Sequence, residues 1–138
     1  MADIEVRYAR GDRFLIQVKD HYLVVDQPKE SGRDDVGPTP TELFVAGLAT
    51  CVGFYAERFF VRHGLAADGL RVDCDFDVSR KAPARVDAID VRVTLPEGFL
   101  PERRAALLAV IEHCTVQNSL RMPPEVRITL SDRESIAA

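Results

Sequence analysis

Thr39-Pro40-Thr41-Glu42-Leu43-Phe44-Val45-Ala46-Gly47-Leu48-Ala49-Thr50-Cys51, running on to about Arg62, is the stretch that decides the fold of this chain. Its start signal is complete. Thr39 suits an N-cap, Pro40 suits the first helical position, and Glu42 follows three residues after Thr39, as a capping box requires. Arg62-His63-Gly64 supplies cations in a last turn and a glycine just past it, which marks the end. Between these limits few charges occur before Glu57 and Arg58. A helix that is apolar on nearly all sides is buried, in a core or between subunits. Its length and the polar residues around it argue against a membrane span. The stretch predicts a long central helix with one thiol near its middle.

Working outward, 138 residues suit one domain, 1–138, with a sizeable core. The net charge of -4 is spread over mixed signs, so the basic stripe of a nucleic-acid binder is missing. Met1-Ala2-Asp3-Ile4-Glu5 carries no basic run ahead of an apolar one, so no signal peptide is expected. Three cysteines, at 51, 74 and 114, make no disulfide framework and contain no C-x-x-C pair. They favour a reducing compartment over a structural zinc site. A cytoplasmic protein without metal is the expectation.

Before the helix, Ile4, Val6 and Tyr8, then Phe14, Ile16 and Val18, then Tyr22 to Val25, alternate as three half-buried strands joined by tight turns. Residues 26–38, rich in glycine, proline and charge, predict a mobile surface loop. After the helix, Leu70, Val72, Cys74, Phe76 and Val78 form the apolar side of a strand whose other side is acidic. Ile89, Val91, Val93 and Leu95 form the next. Cys74 is expected as a small buried hydrophobe. A second helix begins near Pro101 and carries Leu107, Leu108, Val110, Ile111 and Cys114, and a short helical piece from Thr115 to Leu120 stops at Pro123-Pro124. Val126, Ile128 and Leu130 predict a last strand, and Ser131 to Ala138 a frayed tail. The order βββ-α-ββ-α-α-β, with successive strands joined by turns, predicts an α+β fold with a largely antiparallel sheet.

Cys51 and Cys114 admit two readings. Both fill apolar stripes and serve as core residues, or they form a redox pair in which one thiolate attacks a hydroperoxide and the other thiol resolves the sulfenic acid as a disulfide. Helical spacing sets Phe44, Gly47 and Leu48 on one side of Cys51 and Phe54, Tyr55 and Arg58 on the other. Phe44, Leu48, Phe54 and Tyr55 then make an alkyl-friendly lining. Apolar burial raises a thiol pKa, and the helix dipole fades within the first turn, well short of Cys51. A reactive Cys51 therefore needs a cation, from Arg58 or from the strand turn that carries Arg10 and Arg13.

Gly37-Pro38-Thr39 through Cys51 resembles the first cysteine motif of the OsmC/Ohr family. His113-Cys114-Thr115-Val116-Gln117-Asn118-Ser119-Leu120 resembles its second, usually written H-C-P-V-S-N-T-L, and the element order is similar along nearly the whole chain. The resemblance implies an intertwined homodimer with two long central helices and active sites at the interface. It implies a thiol-dependent peroxidase for organic hydroperoxides in oxidative stress defence, reset by a lipoylated protein or another dithiol, without metal, haem or flavin. Cys51 would be peroxidatic and Cys114 resolving. Arg10, or Arg13 in its place, would hold the thiolate and be held in turn by a glutamate ten residues before the first cysteine. Thr41 occupies that position here. Glu42, the nearest carboxylate, lies about 100° further round the helix. The alternatives are a non-catalytic member that binds a small hydrophobic ligand at the dimer interface, which Thr41 favours, and a redox sensor.

Overall fold

The structure, a computed structural model, describes residues 2–132. Strands β1 (Ile4–Arg10), β2 (Arg13–Val18) and β3 (His21–Val25) form an antiparallel meander. Gly11, at φ +57, makes the first turn, a left-handed conformation that glycine adopts without penalty. Register sets Ile4, Val18 and His21 in one row, Val6, Ile16 and Leu23 in the next, and Tyr8, Phe14 and Val25 in a third. Alternation brings these rows onto a single face, where Tyr8 meets Phe14 edge to face at 5.6 Å. The face is apolar and open: Ile4, Val6, Tyr8, Phe14 and Leu23 are all exposed.

The connector over 26–38 is pinned rather than loose, contrary to the expectation from its composition. Asp26 is buried and accepts hydrogen bonds from the amides of Gln27 (2.8 Å) and Val36 (3.2 Å), while its own amide donates to the Pro38 carbonyl. Arg13 reaches Asp26 at 3.8 Å and Asp34 at 2.9 Å, and Arg33 pairs with Asp12. A single 3-10 turn, Lys29–Ser31, lies inside it. Gly37 passes so close to the Val24 carbonyl that a Cβ there would collide with backbone.

Helix α1 spans Pro40–Arg62 and carries the capping box in full: the Glu42 amide donates to Thr39 Oγ1 at 3.1 Å, and the Thr39 amide to Glu42 Oε1 at 2.9 Å. By length and composition α1 could cross a membrane. In the fold, its Leu48, Val52, Ala56 and Phe59 join Leu107, Ile111 and Cys114 in the core. That core sits against a second antiparallel sheet, β4 (Arg71–Val78) with β5 (Val86–Thr94), whose Ile89 and Val93 pack on it. A 3-10 turn, Pro101–Arg103, leads into α2 (Arg104–Ile111), and α3 follows as Thr115–Arg121.

The mixed α+β fold with antiparallel strands and a long central helix is as the sequence indicates, but the strands divide into two sheets. The expected last strand is corrected. Residues 123–130 form no strand, and Val126, Ile128 and Leu130 are 75, 87 and 98% exposed. Alternating residues become a strand only beside a free sheet edge, and the chain lays none against this segment. Of the tail expected to fray, 133–138 lie outside the described residues, as does Met1.

Candidate active site at two thiols

Cys51 lies at the start of the fourth turn of α1, and Cys114 is the N-cap residue of α3. Packing of α3 on α1 sets both thiols against one core: Cys114 is fully buried within it, and Cys51, half-buried, packs on it. The electrostatics separate them. Burial pushes the Cys51 thiol up, but the Val116 amide, the Cys114 thiol and the Thr115 amide all favour the thiolate, and the net direction is down. Burial pushes Cys114 up, and donating to Cys51 pushes it further, against smaller opposing contributions from the Gln117 and Val116 amides. The two directions favour the thiolate at Cys51 and the thiol at Cys114.

The stabilising groups are neutral donors at the start of α3, a source that one-dimensional spacing along α1 does not reveal. Thr115 is the informative residue. A proline there would have no amide hydrogen to offer. Its hydroxyl also lies 3.2 Å from the Tyr55 hydroxyl, one turn along α1 from Cys51, and so ties the two helices together.

The two arginines expected from the strand turn are elsewhere. Arg13 is engaged with Asp26 and Asp34, where it holds the 26–38 connector, and Arg10 is exposed at the end of β1. The open sheet that carries both has no substantial packing on α1. Among the described residues Glu42 holds no arginine. Its carboxylate is committed to the Thr39 amide and hydroxyl, which lower its pKa. Local capping takes the carboxylate before any distant partner can.

The expected lining divides between two clefts. Phe44 and Leu48 border a cavity of about 540 Å3 between α1, β5 and α3, with Val91, Gln117 and Arg121. Phe54 and Tyr55 border another of about 340 Å3, with Arg58 and His113. Cys51 stands between the two sets, since they flank it along α1. Cys74 is half-buried, and burial followed by the charges of Asp75 and Asp73 raises its pKa, which keeps it a thiol. Among the described residues no cluster of metal ligands gathers.

Comparison with known proteins gives a consistent result. Residues 32–129 match the family described as OsmC, OsmC-like protein. No curated protein sequence matches the chain. Among solved structures, a protein of Psychrobacter arcticus named for osmotic stress induction and detoxification response superposes at TM-score 0.78, with 16% identity over 86% of this chain and 88% of that one. An OsmC-like protein of Mycoplasma pneumoniae gives 0.74, with 15% identity over 86% of each chain. The organic hydroperoxide resistance protein OhrB of Bacillus subtilis gives 0.64, with 18% identity over 89% and 92%. At these identities the likeness is one of fold.

Proposed function

The chain belongs to the OsmC-like protein family, and from that premise we propose that it is a cytoplasmic, homodimeric, thiol-dependent peroxidase acting on organic hydroperoxides. The observation that carries this reading is two thiols from different helices packed on one core, Cys114 buried in it and Cys51 half-buried against it, and the shifts agree, with Cys51 lowered and Cys114 raised. A nucleophile needs the first direction, and a thiol that waits as a proton donor needs the second.

The Cys51 thiolate attacks the distal oxygen of ROOH, the O–O bond breaks, and sulfur becomes sulfenic acid while the alkoxide leaves and takes a proton to become ROH. The Cys114 sulfur then attacks the sulfenic sulfur. Its proton and the hydroxyl depart as water, and a disulfide forms. An external dithiol, such as a dihydrolipoyl group, gives up two electrons and two protons to regenerate both thiols. The roles of Cys51 and Cys114 use thiols that pack on one core cluster. Phe44, Leu48, Phe54 and Tyr55 offer apolar surface on either side for the alkyl group.

The dimer is supported by two uncovered surfaces, the apolar face of the β1–β3 sheet and the alternating Val126, Ile128 and Leu130. The alternative, a non-catalytic protein binding a hydrophobic ligand, is favoured by the distance of Arg10 and Arg13 from Cys51 within one chain.

Purified protein with cumene hydroperoxide and a dithiol separates the two. Peroxidase function gives turnover in the wild type, none in Cys51→Ser, and a trapped sulfenic acid in Cys114→Ser. Wild-type protein that reduces no hydroperoxide and whose Cys51 resists thiol reagents in the native state would exclude catalysis.

A further inference from the structure

The smaller cleft beside the thiols has a chemistry that peroxide reduction alone does not use. Its walls are Phe54, Tyr55, Arg58, Arg62, Val110 and His113 around about 340 Å3. Two of the six are arginines, a third is a histidine, and none is acidic, in a chain whose net charge is -4. Arg58 and Arg62 are four residues apart on α1, so they project from the same side, where like charges repel. Neither takes part in an ion pair among the described residues. Arg58 lies over the Phe54 ring, 5.6 Å from its centroid, which fixes the guanidinium beside an apolar floor. The cleft shares a wall with the thiols: Tyr55 follows Cys51 by one turn and touches Thr115, and His113 directly precedes Cys114.

We propose that this cleft binds the carboxylate of a small organic acid, with Arg58 and Arg62 on the anion and the acid's body against Phe54, Tyr55 and Val110. Two unpaired guanidinium forks match a carboxylate's two oxygens. An anion between the arginines also removes their mutual repulsion. The volume lies at the small end of ligand pockets, which suits a ring or short chain and leaves a long acyl chain protruding. Resting on the peroxidase reading, the cleft selects which molecules reach Cys51: a carboxylate on the hydroperoxide, or one on the dithiol, docks one turn from the sulfur.

Binding and turnover test this separately. Calorimetric titration with 4-isopropylbenzoate should show binding to the wild type and to Cys51→Ser. Binding should weaken about tenfold or more in Arg58→Ala and in Arg62→Ala, as loss of a charge-assisted contact implies, and recover partly in Arg62→Lys. Two matched pairs identify the source: cumene hydroperoxide with and without a para carboxylate, and dihydrolipoate against dihydrolipoamide. A higher kcat/KM for the charged member of either pair, reduced toward unity in Arg62→Ala, supports the proposal and says which substrate carries the anion. No benzoate binding, binding indifferent to both arginines, or equal kcat/KM within both pairs overturns it. Benzoate binding without turnover of any peroxide would leave the carboxylate site standing and remove the peroxidase reading.

Discussion

At the scale of single residues, two positions in this chain do more than their type suggests. Thr115 gives Cys51 an amide donor and gives Tyr55 a hydroxyl partner. Replacing it with proline deletes both. Alkylation of Cys51 in Thr115→Pro should therefore reach its half-maximal rate at higher pH than in the wild type, measured with a fluorogenic thiol reagent. Thr115→Val keeps the amide and should shift it less. Asp26 is the second. The amide of Gln27 is the main cause of its lowered pKa; burial opposes the shift, and the Val36 amide, Arg13 and Arg33 add to it. A carboxylate with a folded-state pKa below its unfolded one contributes stability above the unfolded value and loses it as pH falls through the folded one. Asp26→Asn should thus lower the thermal midpoint at neutral pH, and the gap to wild type should close in strong acid. The sequence shows the thiols and arginines as letters. It does not show that Arg13 has a carboxylate waiting 13 residues downstream, or that two amides of a short helix aim at Cys51, because both facts arise from contacts distant in the chain.

At the scale of elements, α1 was legible because its limits are local. A capping box, a proline and a terminal glycine act within a few residues of themselves, and the helix runs between them as expected. Thr39→Ala should cost about 1 kcal/mol in denaturant unfolding. Phe59→Ala, at 1% exposure in the core, should cost about 3–5 kcal/mol. The same locality binds Glu42, the carboxylate nearest the family's glutamate position, to the cap that its spacing from Thr39 indicates. The final strand misled for the opposite reason. Alternation in Val126, Ile128 and Leu130 is a true local pattern, but a strand is a relation between two segments, and among the described residues none lies beside this one. Gly37 illustrates the limit again: its need to lack a side chain is set by the Val24 carbonyl, far from anything its neighbours reveal.

At the scale of the molecule, the core under α1 is closed by β4, β5 and α2, whereas the first sheet keeps its apolar rows open. Truncation after Pro124 removes the exposed alternating segment. If that segment completes a sheet in a second copy, light scattering should report a dimer for the full chain and a smaller species for the truncated one. The bare sheet face carries one more consequence. A fold finished by a second copy obeys mass action, so stability becomes a function of how much protein is present. The melting temperature should climb as the protein is concentrated and sag on dilution, and thiol reactivity should follow the same curve wherever the second copy supplies the missing cation. Abundance itself would then set how sharply Cys51 is armed.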